Sequence, residues 1–227
     1  MSSLPSLVHN QQSGTTLFLV RHAHTAMAGR FCGHSDPELS QEGVSQLPNL
    51  VTRLARFSID HICTSDLIRA RQTAAALAEA RRLLPQLRPG LRELHFGLWE
   101  GLSWDEIEAR DPSLAARWIR EYPELPAPEG ELFSTFCERV ENELQVIASE
   151  WSGQSVAVVT HAGFIRTALF RLLRRHSEQV GAEGPDSELS PSRSFKHLEA
   201  SDLEALDLGY GAITQVCQVD GRWIIVG

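Results

Sequence analysis

The stretch "TTLFLVRHAHT", residues 15–25, runs four apolar residues straight into an Arg-His pair. A short unbroken apolar run of this kind marks a strand buried on both faces, as in a parallel sheet covered by helices. No glycine-rich loop follows, so side chains must carry whatever this strand delivers. A second stretch, "SVAVVTHAGFIR" at 155–166, has the same form: an apolar run, then His161, then a helix-forming segment. The carboxyl ends of strands in an open parallel sheet face the ligand crevice. His22 and His161 are therefore expected in one pocket, with Arg21 beside His22.

Between these runs, strand and helix signals alternate. Ser40 is a predicted N-cap for a helix whose Val44, Leu47, Val51 and Leu54 recur at helical spacing, and Pro48 inside it should kink or split it. "IDHICTS" (59–65) is a second strand, after which Ser65 or Asp66 should cap the helix "LIRARQTAAALAEARRLL". The first turns of that helix would bring Arg69 and Arg71 to the same crevice. Residues 98–130 hold Trp99, Trp104 and Trp118 and end in "YPELPAPEG", which reads as an inserted, partly helical cap. A long helix follows, with Phe133, Phe136, Val140, Leu144 and Ile147 along one stripe. Residues 1–16 read as a frayed terminus, and the Ser-, Pro- and acid-rich 176–208 as a surface excursion. "AITQVCQVDGRWIIVG" closes the chain as a hairpin around Asp220-Gly221. The predicted fold class is α/β: one domain over 1–227, three-layer α/β/α, with a mostly parallel central sheet and a small helical cap insertion.

Composition narrows the function. With 227 residues, 42% hydrophobic and 22% charged, the chain can bury a sizeable core. A net charge of −8 argues against a nucleic-acid or anionic-membrane surface, so an anionic substrate needs a local basic pocket. Cys32, Cys63, Cys137 and Cys217 lie far apart with no C-x-x-C pair, which favours reduced thiols over disulfides or zinc. No apolar run nears the ~18 residues that span a bilayer, and the N-terminus lacks signal-peptide character. The expectation is a cytoplasmic protein, monomer or homodimer, acting on a small molecule.

Two imidazoles and two or three guanidiniums in an acidic protein suit a phosphoryl group, because guanidinium forks match phosphate oxygens and helix-start amides add donors. His22-x-His24 could instead ligate a metal, but the nearest carboxylate is Asp36, so no metal and no cofactor is expected. His9, His61, His95, His176 and His197 read as surface or satisfied core histidines. Arg71, Arg81 and Arg82 read as a solvated helix face, and Glu93 alone carries no signal.

Four segments together say more. "LVRHAHT", "TSDLIRARQTA", "LRELHFGLWEG" and "VVTHAGFIR" resemble, in order, the signature segments of the histidine phosphatase superfamily, phosphoglycerate mutase-like branch. The resemblance runs from about 17 to 175, resumes at "LGYGAITQV", and includes the "PEGELFSTFCERV" lead into the long helix. It implies that His22 is a nucleophile that becomes phosphohistidine. Arg21, Arg69 and His161 would clamp the phosphoryl oxygens, and Glu93 would be the proton donor. Gly33, His34 and Ala162 would contact substrate, with specificity in Phe31, His34, Trp99, Trp104 and the cap around Trp118 and Tyr122.

The departures from the pattern are informative. "R-H-A" replaces the usual "R-H-G", putting the methyl of Ala23 beside the phosphate. The mutase-like Trp-Asn is absent, and the stretch from His22 to Gly33 is two residues shorter than in mutases. This compact form is similar to phosphatases of cobalamin synthesis that act on α-ribazole phosphate. The expected function is a metal-independent phosphomonoesterase; a phosphoglycerate-type mutase and an inactive phospho-ligand sensor are the alternatives.

Overall fold

The computed structural model describes residues 14–179, 208–219 and 222–226, with side chains of 173–179 left aside. Strand β1 (Thr15–Arg21) lies inside a six-stranded sheet of order β3-β2-β4-β1-β5-β6. It pairs in parallel with β4 (Ser155–Thr160) and antiparallel with β5 (Ile213–Val219). Strand β2 (His61–Thr64) is parallel to β4 and to β3 (Pro85–Leu87), and β6 (Arg222–Val226) pairs antiparallel with β5. Strands β5 and β6 thus bear out the C-terminal hairpin, while its turn at 220–221 lies outside the described residues.

The apolar runs of β1 and β4 are continuous because the sheet is covered on both sides. Leu17, Leu19, Val156 and Val158 face a core with Phe136, Val140, Leu144 and Ile147 of α5 (Phe133–Glu150) and Phe164 and Leu169 of α6 (Ala162–Gln179). Phe18, Val20, Ala157 and Val159 point the other way, onto Leu50 and Leu54 of α1 (Gln41–Ala55) and Ala70, Ala74 and Leu77 of α2 (Ile68–Arg81). Alternate residues of one strand feed two cores, which makes the three layers. The cap holds α3 (Trp104–Arg110), opened by a Ser103/Glu106 capping box, and α4 (Pro112–Glu121). It has a small core of its own around Trp99, Ile107, Ala115 and Ala127.

Several expectations are corrected. Helix α1 runs unbroken through Pro48, whose ring is exposed, so the carbonyl that loses its partner can bond water. Its buried positions are Gly43, Leu50 and Leu54, whereas Val44 is 48% exposed. Ser40 does cap it, accepting from the Gly43 N–H. Neither Ser65 nor Asp66 is the N-cap of α2; that residue is Leu67, without a side-chain cap bond, and Asp36 accepts the Ile68 N–H from 32 residues away. Thr15 and Thr16 belong to β1 because they pair with β5, and 176–179 continue α6; residues 1–13 and 180–207 lie outside the described set. Arg81 is no solvated side chain, since its guanidinium donates to Leu54 O and Phe57 O at the end of α1. Among the described residues no helix is long and apolar enough to cross a membrane.

Candidate active site

Three adjacent parallel strands, β2, β4 and β1, release their carboxyl ends on one rim. Arg21 pairs with Thr160 across β1 and β4, so His22 and His161 leave the sheet side by side, ring centroids 5.1 Å apart. The His22 N–H donates to Thr160 O, and its ring Nδ1 lies 2.8 Å from Ala23 O. A carbonyl only accepts, so Nδ1 carries the proton and Nε2 keeps a lone pair. Arg69 Nε–H reaches that lone pair at 3.3 Å, a long bond. Burial, then the Arg69 charge, pushes the His22 pKa down to about 3, so the ring is neutral near pH 7.

Arg69 is fully buried, whereas Arg71 is exposed on the helix face. Its guanidinium donates to the carbonyls of Ser35 at 2.7 Å, Gly33 at 2.8 Å and Cys32 at 3.3 Å. Glu100 answers from the same loop's amides, accepting from Gly33 N, His34 N and Ser35 N, and also from Phe96 N, at 2.7–3.0 Å. Burial raises the Glu100 pKa, but hydrogen bonds from Ser35, His34 and Phe96 outweigh it and hold the carboxyl below its ordinary range. Guanidinium and carboxylate thus hold opposite polar groups of one loop.

His161 is 1% exposed; its Nε2 meets Ser65 Oγ at 3.0 Å and its Nδ1 has no hydrogen-bond partner. Burial, then Arg69, pushes its pKa well below the histidine range. Arg21 donates to Leu208 O at 2.6 Å and lies over the Tyr210 ring at 3.9 Å, while its buried Nε is also unpartnered. Both unpartnered nitrogens sit at the strand ends, where an anionic oxygen could satisfy a donor.

Glu93 is 8% exposed, its carboxylate accepting from its neighbour Leu94 N at 2.9 Å and from Gly163 N, in the first turn of α6, at 2.7 Å. Burial raises its pKa despite these bonds and the Arg69 and Arg21 charges, the direction a proton donor requires. A side chain at Gly163 would collide with this carboxyl, its Cβ 2.2 Å from Oε1. The backbone around Glu93 is gripped from α5: Arg139 donates to the carbonyls of Gly90 at 2.9 Å, Arg92 at 2.8 Å and Glu93 at 3.2 Å, and is itself held by both oxygens of Glu131.

These groups open onto a cavity of about 340 Å³, lined by Arg21, His22, Thr25, Glu93, Ala162 and Tyr210, then by Met27, Gly29, Arg30, Phe31, Cys32, Phe96 and Trp104. The structure therefore brings together Arg21, His22, Glu93 and Ala162 at the cavity, with Arg69 and His161 packed on His22. Of the expected specificity residues, Phe31 and Trp104 line it. Gly33 and His34 do not: Gly33 is buried because a Cβ would come within 2.1 Å of Leu94 O, and His34 stacks on His95 and meets Glu93 O. Trp99 and Trp118 pack on each other in the cap, at 5.3 Å, and neither they nor Tyr122 line it. Ala23 is fully buried and gives the cavity no methyl. His24 turns to Ser40 Oγ, and among the described residues no three His, Cys, Asp or Glu side chains form a metal-ligand set. The four cysteines are unpaired with one another.

Tyr210 has no residue-level signal in the sequence, although its ring lies tilted against His22 at 5.7 Å and edge-on to His24 at 4.9 Å and carries Arg21 on its face. Its only signal is the "LGYGAIT" resemblance. Arg139, Ser65 and the holding role of Glu100 have no local signature at all.

Comparison with known proteins follows the same lines. Residues 17–186 match the family model described as histidine phosphatase superfamily (branch 1). The chain is 31% identical over 159 residues to an adenosylcobalamin/alpha-ribazole phosphatase of Salmonella typhimurium, covering 69% of this chain and 79% of that one. It is 32% identical over 185 residues to phosphoserine phosphatase 1 of Hydrogenobacter thermophilus, covering 81% and 86%. Among solved structures, a mycobacterial glucosyl-3-phosphoglycerate phosphatase superposes with a TM-score of 0.71 at 27% identity, covering 93% of this chain and 97% of that one.

Proposed function

The chain belongs to the histidine phosphatase superfamily, branch 1, and is a phosphatase; we propose that it hydrolyses a small phosphorylated metabolite, without a metal, through a phosphohistidine on His22. The observation that carries this is the state of the His22 ring: neutral, its Nδ1 proton fixed on Ala23 O, its Nε2 pair at the cavity. In the first step Nε2 bonds phosphorus while the ester P–O bond breaks, and Glu93 gives its proton to the departing alkoxide. The long Arg69 Nε–H bond passes from Nε2 to a phosphoryl oxygen as the lone pair is used. Ala23 O then faces the cationic ring of the phosphohistidine. In the second step Glu93, now a carboxylate, takes a proton from water as that water attacks phosphorus. The P–N bond breaks, inorganic phosphate leaves, and both His22 and the protonated Glu93 are restored.

Arg21, Arg69 and His161 supply the charge and donors that phosphoryl transfer needs in its loose transition state. The unpaired cysteines and the acidic chain support a cytoplasmic setting. Rapid mixing with a labelled phosphomonoester should leave an acid-labile, base-stable phosphoenzyme in wild type and none in His22→Ala. Adduct formation by His22→Ala would overturn the assignment. Transfer between two positions of one phosphorylated acid, faster than release to water, would make the enzyme a mutase.

A further inference from the structure

Arg21 is held at the cavity by a segment far along the chain. Its Nη1 donates to Leu208 O at 2.6 Å, 187 positions away, and its guanidinium carbon lies 3.9 Å over the centre of the Tyr210 ring. Burial disfavours the charge of Arg21. The electron-rich face of a tyrosine stabilises such a desolvated guanidinium without taking up any of its N–H donors. A carboxylate in the same place would hold the group too, but would compete with a phosphoryl oxygen for those donors. With Nη1 spent on Leu208 O, the buried Nε of Arg21 is left without a partner beside the cavity that Tyr210 also lines.

The turn that carries Tyr210 is built to present its side chain. Gly209 O accepts from Ala212 N at 2.9 Å, and Gly211 takes a φ of +72°, which the third residue of a type II turn needs. The turn is pinned at its end: Arg21 N donates to Ala212 O at 3.0 Å, and Arg53 of α1 donates to Gly211 O at 3.0 Å. The Tyr210 ring also stands edge-on to His24 at 4.9 Å, and His24 is fixed to the start of α1 through Ser40 Oγ and Gln46. A ring braced in this way can impose a direction on the flexible side chain that lies on it.

Resting on the phosphatase reading above, we propose that Tyr210 is a positioning residue, whose ring face sets the direction of the Arg21 guanidinium so that its free Nε–H meets the phosphoryl group. Tyr210 acts through Arg21 and takes no part in proton transfer.

The test is a double-mutant cycle read by the binding of inorganic phosphate, followed by phosphorus NMR, which needs no turnover. Tyr210→Leu, or Tyr210→Met should leucine not fold, should weaken phosphate by about tenfold, the scale of a desolvated cation–ring attraction. It should lower kcat/KM for ethyl phosphate and for nitrophenyl phosphate by one common factor, because Glu93 is untouched. Tyr210→Phe keeps the ring face and should recover the loss to within about threefold. In Arg21→Gln there is no guanidinium to direct, so adding Tyr210→Leu should change phosphate binding by less than about twofold. An equal loss in both backgrounds overturns the proposal, since the ring would then act on His22 or on phosphate itself. So does a loss in Tyr210→Phe as large as in Tyr210→Leu, which would assign the role to the hydroxyl; this comparison decides the matter even if Arg21→Gln fails to fold. If the wild type neither binds phosphate nor hydrolyses nitrophenyl phosphate, the phosphatase mechanism itself falls. An active wild type matched by Tyr210→Leu leaves that mechanism standing and removes only this inference.

Discussion

Replacing Gly163 by alanine tests the placement of the general acid while every charged group stays in the molecule. The new Cβ would lie 2.2 Å from Glu93 Oε1, 2.8 Å from its Cδ and 3.0 Å from Oε2. Ordinary contact begins near 3.4 Å, so the carboxyl must retreat by roughly an ångström. What moves is the end of a side chain, because the backbone at 163 is helical and accepts alanine. Helix propensity favours the substitution by up to ~1 kcal/mol. The Gly163 N–H loses its carboxylate, which costs about 1–3 kcal/mol if it stays unpaired. The net loss of roughly 0–3 kcal/mol leaves a folded enzyme. Catalysis fares worse: an ångström of displacement costs on the order of 10²-fold. That loss should appear in kcat for alkyl phosphates, whose alkoxide needs a proton, and be under about tenfold for nitrophenyl phosphate, which leaves without one. Steady-state rates on both substrates, with a melting curve to show folding, decide it. Full alkyl activity in a folded Gly163→Ala would remove Glu93 from the acid role; equal losses on both substrates would mean that the nucleophile's surroundings, not the acid, had been disturbed.

Three further outcomes are expected. His22 has a pKa of about 3 in the fold against 6.5 when unfolded, so the unfolded chain binds the extra proton between those values. Stability is therefore full above about pH 6.5 and falls with pH down to about 3, by roughly 1.4 kcal/mol per unit from this group. Melting temperature against pH should be flatter in His22→Asn, and an unchanged slope would refute the neutral ring. Glu100→Gln puts an amide donor against backbone N–H groups that a carboxylate now accepts, and should lower the melting temperature by roughly 4–12 °C; a shift under about 2 °C would show that the loop does not depend on it. Arg139→Met frees the carbonyls of Gly90, Arg92 and Glu93, and should lower kcat for alkyl phosphates by about tenfold with little change in KM; a rise in KM alone would place Arg139 outside acid positioning.

The parts of this protein legible in its sequence are those whose cause is local. Strands β1 and β4 show as apolar runs because both of their faces are buried, and the stripe of α5 shows because its period is helical. Strand β3 has no signature in the sequence: it is three residues long, lies at the sheet edge and opens with a proline, so it has neither alternation nor length to announce it. The Asp36 contact that starts α2 joins positions 32 apart, beyond any capping pattern read along the chain. In the site, the strand-end histidines and Arg21 were legible from topology, and Arg69 and Glu93 were separated from other arginines and glutamates by the family resemblance. Tyr210 comes to His22 only through the fold, and Gly33 and His34 look like pocket residues in the linear pattern although Phe31 and Cys32, just before them, are the ones that face the cavity.

Arg69 and Glu100 fasten residues 32–35 by carbonyls and amides alone, and Arg139 does the same for 90–93. Fastenings of this kind are blind to side-chain identity. The wall residues Met27, Arg30, Phe31, Phe96 and Trp104 lie outside the fastened segments, and three of them also pack on the cap core, so a combinatorial library at those five positions, screened first for folding, should yield enzymes with altered tastes and a common chemistry. Gly33 is the position such a library must leave alone, since any substituent there strikes the Leu94 carbonyl and pries the loop off its anchors.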